Sequence, residues 1–302
     1  MGFNKVYWST TLSSPHLIII FTIAGALVRM PQMQSDPLYC RSIIECCVLP
    51  TLLYGAESWI LNTTLLTKLE SFQGEIGRRI LRLPKFAANN TVRMALQWPS
   101  VRSRVLCIKL GFLLKILNSE NSLSARVFHS LAVSDVEALH LIRQCRFLES
   151  SLNTNFTTRI LSSHQEISFS ALKKEIFEVD FSLLLSEASN HASQRYVQAV
   201  AASSISSWPK VWDSALEKGV FGTSCSLALL RLLSLHTLSD NKCPVPNCSH
   251  VVGEDSLCSH FLADHTTLSI TVEQCVDILE NCSEEIYCHG KALNQIFRDI
   301  WN

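Results

Sequence analysis

From Arg41 onward, apolar residues recur at three- and four-residue intervals with clear punctuation between runs. Asn62-Thr63-Thr64 supplies side-chain oxygens suited to capping a helix start. Leu65, Leu69, Phe72, Ile76, Ile80 and Leu83 then follow at helical spacing until Pro84. The pattern predicts one amphipathic helix, with Arg78, Arg79 and Arg82 off its apolar stripe. Val101 to Leu117 predicts a second, with Leu106, Leu110, Leu113, Leu114 and Leu117 apolar and Arg102, Arg104, Lys109 and Lys115 polar, so that the stretch reads as two helices and a loop. Segments 123–149, 167–188 and 191–206 carry the same spacing, broken by clusters such as Ser150-Ser151-Leu152-Asn153-Thr154-Asn155. There is no internal repeat and no low-complexity run.

Composition sharpens this into a mainly α protein. With 302 residues, 47% apolar and 17% charged, the chain can bury a sizeable core without disulfide staples. Its 10 Gly and 9 Pro are too few for a loop-rich sandwich or a glycine-cradled nucleotide site. The net charge of zero conceals a strong asymmetry. Residues 65–115 hold ten basic and two acidic groups, whereas residues 242–302 hold three basic and nine acidic. A +8 block attracts polyanions irrespective of their sequence, because neutralised phosphates release condensed counterions; the alternative is a solvated helix surface. Residues 1–36 stand apart. Leu17 to Val28 is apolar but too short for the roughly 20 residues that span a bilayer, and Ala24-Gly25-Ala26 is like a signal-peptide cleavage site. The segment is either signal-like or an unrelated leader or gene-model extension.

Twelve cysteines require their spacing to be read. Cys40, Cys46, Cys47, Cys107, Cys145 and Cys225 lie within apolar helical patterns, where a thiol packs as a small hydrophobe. Cys243-x4-Cys248 followed by His260-x4-His265 is different, because two short chelating pairs separated by a loop meet the tetrahedral N/S demand of zinc. Pro244 and Pro246 stiffen the first pair, and Leu257 to His265 reads as a short helix carrying the second. A five-residue step turns about 140° around a helix, so His265 reaches the same ion as His260 only if the last turn loosens; Cys258 and His250 are the spare donors. Four protein ligands leave no open position, so the zinc is expected to be structural. Cys275, Cys282 and Cys288 lack chelate spacing. The expected fold is a mainly α helical bundle with a small C-terminal zinc-knuckle-like module.

Catalytic signatures are missing. There is no Asp-Asp dipeptide, G-x-x-x-x-G-K-[ST] loop, G-x-S-x-G elbow or H-E-x-x-H, and the nine Asp are scattered, without the close carboxylates that two-metal phosphoryl transfer needs.

The run Val48-Leu49-Pro50-Thr51-Leu52-Leu53-Tyr54-Gly55-Ala56-Glu57-Ser58-Trp59, with Arg78-Arg79-Ile80-Leu81-Arg82-Leu83-Pro84 and Asn89-Asn90, resembles the region after the polymerase palm of non-LTR (LINE-like) retrotransposon reverse transcriptases. Trp208, Trp212-Asp213, Ala215-Leu216 and Gly219 are similar to a downstream stretch of that family, and Cys243-Pro244 through His260-Phe261-Leu262 to its terminal zinc knuckle. Two features depart from the family: its knuckle usually ends in Cys where this chain has His265, and its first Cys pair is usually closer. The likeness covers roughly 38–117 and 205–265, and includes neither the polymerase motif nor an endonuclease.

The segments expected are thus a leader (1–36), a basic post-palm-like helical region (37–120), a helical connector (121–240), and a Cys/His module with an acidic C-terminal helix (241–302). The expected function is that of a non-catalytic remnant binding RNA or single-stranded DNA through Arg78, Arg79, Arg82, Lys85, Arg93, Arg102 and Arg104, with a catalytic reverse transcriptase polypeptide as a further partner. The expected location is nuclear or cytoplasmic, with no membrane association. Two alternatives remain open: a helical interaction or scaffold protein without nucleic-acid binding, and a secreted, disulfide-containing protein using the leader as its signal.

Overall fold

The computed structural model describes residues 37–85, 87–119, 122–135, 139–188, 219–233, 257–266 and 285–301, together with residues 197, 243, 248, 271, 274 and 275. Among these the ordered elements are helical and none is a strand, as the mainly α expectation requires. The α-helices are α1 (Pro37–Ile43), α2 (Leu49–Leu52), α3 (Thr63–Ile80), α4 (Asn89–Ala95), α5 (Val101–Leu117), α6 (Leu123–Asp135), α7 (His140–Ser150), α8 (Phe156–Ser163), α9 (Phe169–Ala188), α10 (Gly219–Leu233), α11 (Leu257–His265) and α12 (Glu285–Trp301). The leader, most of 191–206 and the tryptophan-bearing stretch at 208–216 lie outside the described residues. No described helix is long and apolar enough to cross a membrane.

The chain divides into two compact units that cut across the sequence segments. The first takes Cys47–Ser71 and Pro99–Leu183; the second takes Phe72–Trp98, the described residues up to Cys46 and those beyond Leu184. The basic stretch is accordingly shared, and it contains three helices rather than two, because α4 occupies the expected loop.

In the first unit α5 is the central element. Val101, Val105, Leu106, Leu110, Leu113 and Leu114 are buried, and the helix packs on α6, α7 and the 3-10 turn Ala56–Ser58. Ser100 caps it: Ser100 Oγ accepts from Ser103 N at 3.1 Å and donates to Asp180 Oδ1 of α9 at 2.7 Å, so one buried serine both satisfies an orphan helix donor and ties down a neighbouring helix. The helical spacing of 123–149 is met by two helices, α6 and α7.

Lys109 corrects the sequence reading. It was expected on the polar face of α5 but is fully buried, on the i±4 row between Val105 and Leu113. Its Nζ donates to Glu57 O at 3.1 Å and Trp59 O at 2.9 Å, which are backbone acceptors of the YGAESW run. That run is thereby explained as architecture. Gly55 has φ 73°, a left-handed conformation suited to glycine, Ala56 is wholly buried, and the lysine holds the carbonyls beyond them.

In the second unit the latter half of α3 packs on α4. Leu69, Phe72, Ile76 and Ile80 are buried along the expected stripe, and Asn62 Oδ1 accepts from Leu65 N at 2.8 Å as the expected cap, the helix start itself lying in the first unit. The helix stops at Ile80, before Pro84. Arg82 is left-handed (φ 51°), Arg82 N donates to Arg79 O at 3.2 Å and Leu83 N to Arg78 O at 2.8 Å. These two bonds make a Schellman end whose left-handed site glycine normally fills, and a larger side chain there is strained by roughly 1 kcal/mol. Helix α4 ends the same way at Gln97 (φ 52°). Trp98, just before Pro99, is fully buried and so is no stacking platform for a base.

Two further expectations are corrected here. Cys40, Cys107, Cys145 and Cys225 are buried as expected, but Cys46 and Cys47 are exposed, because Ile44 and Val48 take the inward positions of the π-helical turn Ile44–Val48. Helix α12 is not itself acidic: Glu285 and Asp299 are balanced by Lys291 and Arg298, and the acidic excess of the tail lies between residues 254 and 284.

Helices α10 and α12 pack face to face at small residues. A Cβ built on Gly290 would lie 2.4 Å from Cys225 Cβ and 2.6 Å from its Cα. Since backbone cannot move aside cheaply, Gly290→Ala is expected to destabilise this unit by about 1–3 kcal/mol, read as a lowered denaturation midpoint at unchanged slope.

Candidate metal centre

Helix α11 carries Phe261 and Leu262 into the core and buries His260, while Asp264 stays exposed; it ends on half-buried His265. Cys243, buried, and Cys248, half-buried, supply the other donors. The four ligand atoms lie within 4.8 Å of one another. Cys243 Sγ is 3.3 Å from His265 Nε2, Cys248 Sγ is 3.5 Å from His260 Nε2, and the two Nε2 atoms are 3.2 Å apart. For metal–sulfur and metal–nitrogen bonds of about 2.3 and 2.05 Å, a tetrahedron has S···N and N···N edges of about 3.5 and 3.3 Å. Three of the six donor–donor distances therefore stand at coordination spacing, and this group could bind a metal ion.

The expected obstacle, the 140° step between the histidines, is overcome by the side chains. The imidazole rings stand nearly perpendicular, at 89° with centroids 4.9 Å apart, so both reach inward through Nε2 although α11 continues through His265. Of the spare donors, the Cys258 side chain and the whole of His250 lie outside what the structure describes.

A residue that spacing did not flag completes the site. Asp264 Oδ2 lies 2.6 Å from His260 Nδ1, the nitrogen facing away from the cluster. A carboxylate at that nitrogen favours the tautomer whose Nε2 lone pair is available to a metal. Asp264→Asn is expected to weaken metal affinity about tenfold with little change in fold, measured by competition with a chromophoric chelator. The signal in the sequence was an Asp four residues after a ligand His on one helix.

The site is joined to the helical core through Phe261, whose ring stacks on Phe297 of α12 at 5.6 Å and 18°.

The basic residues expected to touch nucleic acid meet different fates. Arg78 is half-buried and spans α3 and α4, donating to Asn89 Oδ1 at 2.5 Å and Ala87 O at 3.1 Å; burial lowers its pKa against the opposing pull of Glu75. Arg93, also half-buried, donates to Trp98 O at 3.3 Å. Both are committed to the fold. Arg79, paired with Glu75, and Arg82 and Lys85 are exposed. Arg102 and Arg104 are half-buried on α5 in the other unit. The structure thus brings the four expected metal ligands together, but gathers only part of the basic set on exposed positions of one unit.

No protein-family model matches the chain, and no curated protein or solved structure matches it.

Proposed function

We propose that this chain is a non-catalytic remnant of a non-LTR retrotransposon reverse transcriptase: a helical module whose second unit is stapled by a structural zinc ion and which binds RNA or single-stranded DNA without sequence preference. The observation that carries the reading is the convergence of Cys243, Cys248, His260 and His265, whose donor atoms lie within 4.8 Å of one another with three of the distances at tetrahedral edge length. Two thiolates and two imidazoles in a tetrahedron suit zinc, and a closed set of four protein donors leaves no position for a substrate or an activated water. Polyanion binding is supported by the exposure of Arg79, Arg82 and Lys85 within seven residues and by the sequence likeness to the post-palm region. The missing acid dyad supports a role without polymerase chemistry.

Two measurements on the full chain test this. Metal analysis is expected to find one zinc per chain. RNA affinity is expected to fall steeply with salt, with a log–log slope near −2 for about three phosphate contacts to a single strand. A chain that purifies and refolds without zinc contradicts the staple; an affinity indifferent to salt, or unaffected by reversing Arg79, Arg82 and Lys85 to glutamate, contradicts the nucleic-acid role. The interaction-protein alternative has one observation in its favour: Leu123, Val127 and Leu131 are exposed at four-residue spacing on α6. Zinc binding with no polyanion affinity would select it.

A further inference from the structure

Helices α5 and α9 of the first unit run antiparallel in a register fixed at two points. Ser100, at the head of α5, donates from Oγ to Asp180 Oδ1 at 2.7 Å, and a Cβ built on Gly111 would lie 2.7 Å from Phe169 Cε2. Ser100 to Gly111 and Phe169 to Asp180 are both eleven-residue steps, about three helical turns, so the register sets Lys173 of α9 opposite Cys107 of α5. The Lys173 ammonium accordingly acts on that thiol, opposing the rise in pKa that burial imposes. Helix α9 begins at Phe169, and Lys115, one turn beyond Gly111 on α5, is left exposed.

Ile108, Gly111, Phe112 and Lys115 share one face of α5 at helical spacing, and Phe112 is 37% exposed. The missing side chain at Gly111 lets one edge of the Phe169 ring rest on the helix, while Phe169 stays 44% exposed. Phe169 and Lys173 are four residues apart on one face of α9, and the Lys173 ammonium also lies 5.7 Å from the centroid of the Phe177 ring. Two exposed rings are thus bracketed by Lys173 on one side and Lys115 on the other. Among the described residues neither lysine is bridged to a carboxylate, whereas Glu175, Glu178 and Asp180 of α9 are engaged with Arg159, Lys174 and Ser100. Apolar area alone would suit any apolar partner. Rings alternating with cations free of carboxylates suit a strand whose bases offer flat π-faces and whose backbone is anionic.

We propose that the face of the first unit formed by Phe112, Lys115, Phe169 and Lys173 is a stacking platform for the unpaired bases of a single-stranded nucleic acid, with the two lysines on its phosphates. The assignment rests on the nucleic-acid reading above and adds to it a contact made by residues other than Arg79, Arg82 and Lys85.

The test uses the full chain, a mixed-sequence single-stranded RNA carrying a fluorescent base analogue, a duplex of the same sequence, and a salt series. Phe112→Leu and Phe169→Leu remove a ring but keep an apolar side chain, so their melting temperatures are expected to stay near wild type. Should Phe169→Leu loosen its seat on Gly111, Phe112→Leu carries the test. Each is expected to weaken single-strand affinity about fivefold or more at unchanged salt slope, to reduce the quenching of the base analogue, and to leave duplex affinity alone, because paired bases are already stacked. Lys115→Gln and Lys173→Gln are each expected to shrink the salt slope by about 0.7. Leu123→Ala, an exposed apolar change on α6, is the control and should bind like wild type. If wild type binds the single strand and both phenylalanine variants bind it equally well, the platform is overturned, while the nucleic-acid reading stands provided that reversing Arg79, Arg82 and Lys85 to glutamate still weakens binding. If that reversal changes nothing and the phenylalanine variants lose affinity, the platform is upheld and the earlier basic set falls. If wild type binds no nucleic acid, both fall; attachment to phosphatidylserine vesicles that the phenylalanine variants lack would then assign the face to a lipid surface.

Discussion

Stripping zinc with a chelator is expected to lower the melting transition of the unit that carries Cys243, Cys248, His260 and His265 by roughly 8–16 °C. A ligand present at about a thousand times its Kd stabilises the folded form by about 4 kcal/mol, and each kcal/mol moves the midpoint of a unit this size by about 2–4 °C. The loss should reach beyond α11. Phe261 is wholly buried and stacks on Phe297, so freeing the histidines releases a ring that packs α12. Far-UV circular dichroism with and without chelator checks this, with metal content measured on the same samples. Replacing one ligand, as in His265→Ala, is expected to reproduce most of the effect even in excess zinc, because the unmade coordination is folding free energy that the apo chain lacks. A transition unmoved after verified metal loss would mean that helix packing alone holds this unit.

The second large effect is expected at Lys109. Its burial carries its pKa down to about 8, and its ammonium serves the carbonyls of Glu57 and Trp59. Lys109→Ala leaves those carbonyls unsatisfied and opens a cavity, for a combined loss of about 3–5 kcal/mol in the first unit. Lys109→Met keeps most of the volume and isolates the polar part. The pH dependence has a definite sign. Between pH 8 and the ordinary lysine range the unfolded chain holds a proton that the folded chain has released, so the stability supported by this residue rises with pH, by about 1.4 kcal/mol per pH unit at most. Buried Cys107 and Cys145, whose thiols are pushed up to about 12, act oppositely above pH 9, since only the unfolded chain ionises there. The effect is therefore cleanest from pH 8 to 9, as the difference between wild type and Lys109→Met in denaturant melts. A difference that is flat across that interval would show the amine to be ordinary.

Much of the helical layout was legible because amphipathic helices announce themselves through spacing. The stripe Leu69–Phe72–Ile76–Ile80 and the cap at Asn62 fall where the pattern puts them. The end of α3 was misread by three residues, since Pro84 signals a stop but the left-handed turn at Arg82 carries no residue that advertises it. The four candidate metal ligands were legible because chelation imposes local spacing on the chain itself. Phe297 was not, for a contact between distant residues leaves no spacing to read, whereas Asp264, four residues after His260 on one helix, left a spacing that the chelate pattern alone does not use. Lys109 could have been suspected: a charge flanked four residues away on both sides by Val105 and Leu113 must either leave the helix face or find acceptors inside.

The interleaving of the two units has a consequence for the nascent polypeptide. Phe72–Trp98 leaves the ribosome early but belongs with residues beyond Leu184, and the carbonyl of Arg82 meets its donor 149 residues later. At about 5–20 residues per second, translation leaves this hydrophobic segment waiting on the order of ten seconds for its counterpart. During that interval it is a natural client for a holding chaperone, and synthesis without one should favour aggregates over native monomer.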